Sequence, residues 1–123
     1  MSAAAPRSPE ELFDGYPDSL AICRRVEHVV SAFGEVSVAV TKSQVSFRRR
    51  KAFAFVWRPG QYLSSAVPAV LSISLRHEIA SDRFKEIAHP AKTVWMHHLE
   101  LGAVFEVDDQ VCGWLTDAYE TAR

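Results

Sequence analysis

The sequence predicts an α+β domain. An antiparallel sheet of five to six strands is expected to carry two N-terminal helices and one C-terminal helix packed on one face. Three observations predict it. Apolar residues recur at helical spacing before Gly34 and after Asp108. Between Val36 and Leu101 the period falls to two. Helical and strand segments are segregated along the chain rather than alternating, which favours an antiparallel sheet over βαβ units.

The helices come first. Residues 1–7 read as a disordered leader, and 8–123 as a single domain. Ser8-Pro9-Glu10-Glu11 is a helix start, with Ser8 as cap, Pro9 in the first helical position and Glu11 placed for a capping box. Gly15 is the expected stop. A second helix is expected from a cap at Asp18 or Ser19 to Gly34. Leu20, Cys23, Val26, Val30 and Phe33 form its buried stripe, and His28 is solvated.

The strands come next. Val36, Val38 and Val40 alternate with Ser37, Ala39 and Thr41. Thr41 to Pro59, TKSQVSFRRRKAFAFVWRP, reads as two strands joined by a tight basic turn, and the rest of the chain is arranged around it. Lys42, Gln44, Ser46 and Arg48 share one face of the first, with Val45 and Phe47 on the other. In the second, Phe53, Phe55 and Trp57 are expected on the core face, and Ala54, Val56 and Arg58 on the open one. A loop is expected at 59–65. Residues 69–76 set Leu71, Ile73 and Leu75 against Ser72, Ser74 and Arg76. Ser81 to Ala88 fits a strand or a short helix, with the strand favoured because His89-Pro90-Ala91-Lys92 reads as a hairpin turn. Residues 93–101 put Trp95, His97, Leu99 and Leu101 on one face, and Val94, Met96, His98 and Glu100 on the other. Asp108 caps the last helix, whose apolar side is Val111, Cys112, Leu115, Ala118 and Tyr119.

Composition narrows the function. The chain has 123 residues and a net charge of −1, so general attraction to nucleic acid or membrane is not expected. The charge is uneven, with five of the 14 Lys and Arg between Lys42 and Lys51. No signal peptide and no apolar run of membrane-spanning length is found, and Cys23 and Cys112 read as reduced core residues. The expected location is cytoplasmic.

The segments TKSQVSFRRRKAFAFVWRP, RFKEI, WMHHLEL and DDQVCGWLTDAYE together resemble a bacterial family, the domain of unknown function 5655. The resemblance spans residues 9–121. It implies a small domain, standing alone or appended to others, and carries no activity to transfer. Met96 departs from it, since a small polar residue such as Thr is expected there.

The chemistry-bearing residues point to binding rather than catalysis. His97 and His98 are neighbours on a strand, so they face opposite ways and cannot share a metal. No CxxC, HExxH, GxSxG or glycine-rich phosphate loop is present. No cofactor or metal is expected. His97, between Trp95 and Leu99, reads as a core-edge imidazole bonded to backbone, and His98 is the better site candidate; the pattern leaves open which of the two is buried. Arg49, Arg50 and Lys51 read as a solvated hairpin tip. The expected site is the open sheet face. Lys42, Gln44, Ser46, Arg48, Arg58 and His98 would there hold a small anionic ligand or a phosphate-bearing partner. The alternative is an accessory domain that docks a protein through a sheet edge or Tyr62-Leu63. An enzyme ranks third. Single-stranded nucleic acid is disfavoured because the aromatic residues are expected to face the core.

Overall fold

The computed structural model describes residues 5–61 and 65–123. Its elements run α1 (Pro9–Leu12), α2 (Pro17–Ser31), β1 (Ser37–Val40), β2 (Val45–Arg48), β3 (Ala52–Trp57), β4 (Ala69–Leu75), β5 (Phe84–Ala91), β6 (Val94–Leu101) and α3 (Asp109–Thr121). Single 3-10 turns lie at Pro59–Gln61 and Val104–Glu106. Among the described residues six strands form one sheet in the order β1-β2-β3-β4-β6-β5. Every neighbouring pair is antiparallel. The expected α+β architecture is the observed one. Residues 1–4 of the expected leader and Tyr62, Leu63 and Ser64 of the expected loop lie outside the described residues.

Rungs of directly opposed residues show how the two faces arise. One rung reads Val40–Val45–Val56–Leu71–Leu99–Phe84 across all six strands. The next covered rung reads Val38–Phe47–Ala54–Ile73–His97–Ile87. Apart from His97 these are apolar, and α2 and α3 lie over them. Ile22, Cys23, Val26 and Val30 of α2 and Val111, Leu115, Ala118 and Tyr119 of α3 complete the core. Burying a side chain such as Leu71 or Phe47 contributes about 1.5–3 kcal/mol. A slip of one residue would move a whole rung into water, so this core fixes the register.

The expected facing of β3 is overturned. Ala54 and Val56, fully buried, belong to the covered face, while Phe55 and Trp57 lie on the open face. A β-bulge is the reason. Phe47 opposes Ala54 but Arg48 opposes Ala52, so Phe53 is an extra residue in β3. With a regular ladder across the three-residue loop, Phe47 would oppose Phe53, and every second residue after it would face the core. The bulge shifts that parity by one. Phe53 itself turns into the core and meets the Tyr119 ring edge-on at 5.6 Å.

Two helix starts also differ from expectation. Helix α2 begins at Pro17, with no side-chain cap. Ser19 is instead buried and donates its hydroxyl to the Pro68 carbonyl at 2.7 Å. At α1, Ser8 Oγ accepts the Glu11 N–H at 3.2 Å as expected, but the Glu11 carboxylate accepts from the Arg7 N–H rather than from that of Ser8.

The basic turn is more than a solvated tip. A helix C-terminus leaves its last carbonyls unpaired and carries partial negative charge. Here the Arg50 and Lys51 N–H groups both donate to the Ala122 carbonyl at 3.1 Å. Arg49 donates to the Tyr119 carbonyl and lies 4.2 Å over the Tyr119 ring. Arg76, expected on the open face, reaches the Thr121 carbonyl at 3.2 Å instead. The other end of α3 is held by Arg83, which donates to both Asp108 carboxylate oxygens, to Gln110 and to the Glu106 carbonyl. Asp108 caps α3 as expected, accepting the Val111 N–H at 3.1 Å. The Arg83 hydrogen bond and this cap hold its carboxyl below the usual carboxylate range.

Arg83→Ala should therefore loosen the start of α3. The expected loss is about 1–2 kcal/mol, read as a fall of several degrees in Tm by thermal melting at pH 7. The thiols give a second check. Both cysteines are free, and burial, with the Glu27 charge adding to it, pushes Cys23 up to about 12. Native protein treated with a thiol-reactive disulfide at pH 8 should leave Cys23 unmodified, and unfolding should expose both thiols.

Candidate site on the open sheet face

The open face carries its own rung, Ala39–Ser46–Phe55–Ser72–His98–Glu86. Beside it stands Trp57–Val70–Glu100. A cavity of about 450 Å³ opens over β3, β4 and β6. Phe55, Trp57 and Met96 form its apolar walls, and Ser43, Gln44, Ser72 and His98 supply its polar groups. This is within the size range of small-molecule sites, and a mainly apolar wall with a few polar groups is their usual make-up.

A three-residue relay anchors the site. Trp57 Nε1–H donates to Ser72 Oγ at 2.9 Å, and Ser72 Oγ lies 2.7 Å from His98 Nδ1. Ser72 is only 3% exposed. Its oxygen accepts the indole N–H and keeps a second lone pair, so the hydrogen bond with His98 Nδ1 can run in either direction according to the imidazole tautomer. In neutral imidazole one nitrogen accepts and the other carries the proton. With the Ser72 hydroxyl as the donor, the His98 proton sits on Nε2, on the far side of the ring from the relay. The Trp57 and His98 rings meet edge-on at 6.3 Å, which also limits rotation. A second cavity of about 330 Å³ lies past this pair, with Trp57 and His98 in its wall beside Lys85, Glu86 and Glu100.

The β1–β2 turn presents Gln44. Thr41 Oγ1 accepts the N–H groups of Ser43 and Gln44, each at 3.2 Å, an arrangement Thr and Ser side chains favour in turns. Among the residues expected in the site, Gln44 and His98 meet in one cavity. Lys42 is exposed, adjacent in sequence to the lining residue Ser43. Ser46 is half-buried on the same face, and its hydroxyl donates to the Ala39 carbonyl. Arg48 is exposed and opposes Ser37 towards the β1 edge.

Arg58 does not join them. It comes after Trp57, past the end of β3, and its guanidinium lies 3.7 Å over the Tyr16 ring. There it borders a separate cavity with Tyr16, Asp18 and Ser19 of the α2 start. The cavity wall is aromatic rather than basic: Phe55 and Trp57, expected in the core from their alternation, stand in it. The signal for them would have been the bulge, and a single sequence carries no clear mark of it.

The neighbouring histidine has the opposite fate. His97 is fully buried, and both its ring nitrogens are engaged. Nδ1 donates to the Trp95 carbonyl at 3.0 Å, and Nε2 accepts the Ile79 N–H at 3.0 Å. A proton on Nε2 would face that N–H. The Phe84 ring packs edge-on against the imidazole at 4.7 Å. Burial, partly offset by the Trp95 carbonyl, holds its pKa below the ordinary 6.5. The unfolded chain thus binds this proton more readily than the folded one. The contribution to stability is whole above pH 6.5 and is lost as pH falls below it. Thermal melts from pH 8 to pH 5 should fall more steeply for the wild type than for His97→Gln. The excess slope is at most about 1.4 kcal/mol per pH unit.

No curated protein and no solved structure gives a significant match. A domain of unknown function (DUF5655) matches residues 10–122, nearly the whole chain, which the resemblance in the strand and His-His segments led one to expect. The chain therefore belongs to the DUF5655 family.

Proposed function

We propose that the chain is a binding module for a small anionic ligand with a flat apolar body, held in the cavity of the open sheet face. The observation that supports this reading most is the Ser72 hydrogen bond to His98 Nδ1. With Ser72 as the donor in that bond, His98 offers its own N–H at Nε2, and a donor beside an apolar cavity suits a carboxylate or phosphate oxygen. Phe55, Trp57 and Met96 would cover the flat part of the ligand. The Gln44 amide can give a second hydrogen bond, and Lys42 on the adjoining turn adds positive charge near the rim.

The relay does not read as a nucleophile and base. Ser72 is nearly inaccessible, so its hydroxyl is poorly placed to attack a substrate and binding is favoured over hydrolysis. With Phe55 and Trp57 on the open face, a lack of exposed aromatic rings no longer argues against nucleic acid. The net charge of −1 still gives no general attraction to a polyphosphate backbone.

A thermal-shift screen tests the reading, using aromatic carboxylates, nucleoside monophosphates and inorganic phosphate. At about one hundred times Kd, a bound probe should stabilise the protein by about 2.7 kcal/mol, seen as a rise in Tm. The rise should vanish in His98→Ala and shrink in Gln44→Ala, while Arg58→Ala keeps it. A screen with no rise, or a rise that His98→Ala retains, would overturn the reading.

A further inference from the structure

The two edges of the sheet are not alike. β5 is blunted: its pairing with β6 breaks register at Phe84/Glu86 and again at Ala88/Ala91, and it carries Lys85, Glu86 and Pro90. Bulges, charges and proline are the devices that discourage strand addition. β1 has none of them. Ser37–Val40 holds no charge and no proline, pairs without a break, and leaves Val38 40% exposed.

The outward backbone groups of β1 can be assigned. The Thr41 N–H donates to the Gln44 carbonyl, and the Ala39 carbonyl accepts from Ser46, both toward β2. Antiparallel ladders alternate, so residues 37, 39 and 41 address β2, and Val36, Val38 and Val40 send their N–H and C=O groups outward. These same three valines lie on the helix-covered side of the sheet.

The geometry points to a second copy of this chain as the occupant of this edge. The two β1 strands pair antiparallel about a two-fold axis through Val38, perpendicular to the sheet. Val38 then opposes Val38, and Val36 opposes Val40. Each opposed pair has donors and acceptors that face one another, so each exchanges both hydrogen bonds. Valine meets valine on one face, and both helix layers lie on the same side. A slip of one residue would oppose outward groups to inward ones and valine to Ser37 or Ala39. Charge agrees. Glu35 and Lys42 are both exposed and flank β1 at opposite ends, so antiparallel pairing sets Glu35 opposite Thr41 of the other copy, one residue from its Lys42, twice by symmetry. The joined sheet presents both ligand cavities on one continuous face.

An edge contact of about five residues from each copy is small beside the ~1,200–2,000 Å² of a stable interface, so the dimer is reversible. Sedimentation velocity of the full chain, from roughly 10 µM to 1 mM, should show the coefficient rising toward that of a dimer. Val38→Pro should hold it at the monomer value. The N–H it removes points away from β2, so circular dichroism and Tm of that variant should stay near wild type. Lys42→Glu should lower the dimer fraction, and adding Glu35→Lys should restore it, which decides the matter even if the proline variant unfolds. A chain that stays monomeric throughout, a Val38→Pro variant that assembles like wild type, or a charge swap without rescue would each overturn the pairing.

Discussion

One extra residue in β3 sets the character of the site. Helices cover only one face of the sheet, so each strand must send its apolar set to that face. The bulge at Phe53 lets Phe53 and Ala54 both enter the core and reverses the parity of residues 55–57. Without it Phe55 and Trp57 would be buried under α2 and α3, and the open face would carry Ala54 and Val56. With it, two aromatic rings stand beside Ser72 and His98. The apolar walls of the cavity and the hydrogen bond from Trp57 to Ser72 both depend on that shift.

The same alternation separates the two histidines. His97 points under the helices, where its two nitrogens are matched to one acceptor and one donor of the backbone. Burial keeps it neutral, and it acts as part of the core. His98, one residue on, points to the open face. Its inner nitrogen is engaged by Ser72, which leaves the outer one for a ligand. Adjacent residues of one type thus divide between the core and the proposed site. The basic residues divide similarly. Arg49, Arg76 and Arg83 are used at the ends of α3, while Lys42 has no such role among the described contacts.

Much of the fold was legible in the sequence, because long periodic segments leave little choice. The order of helices and strands and the Asp108 cap come from pattern and turn chemistry. A hairpin before the last strand was also legible, but its turn is Lys92-Thr93, and His89, Pro90 and Ala91, expected in the turn, belong to β5. The open-face placement of Gln44, Ser46 and His98 comes from alternation alone. The features that were not legible arose from register. A bulge is a property of two strands meeting, and Phe53 has no local mark that distinguishes it from Phe55. Arg58 was misplaced for the same reason, since its face was counted from Trp57. The start of α2 was expected at Asp18 or Ser19, good capping residues, but Ser19 is drawn to the Pro68 carbonyl, a contact 49 positions away. Long-range partners of this kind override local preference.

The proposed recognition turns on the proton of His98. Long-range nitrogen–proton correlation spectra of the labelled protein at pH 8 would locate it directly. With Ser72 as the donor, the relay requires His98 with a bare Nδ1 and a protonated Nε2, opposite to His97, whose proton sits on Nδ1. A His98 proton on Nδ1, or rapid averaging between the two nitrogens, would contradict the relay from Trp57 through Ser72. The proposed binding site would then lose its defining donor.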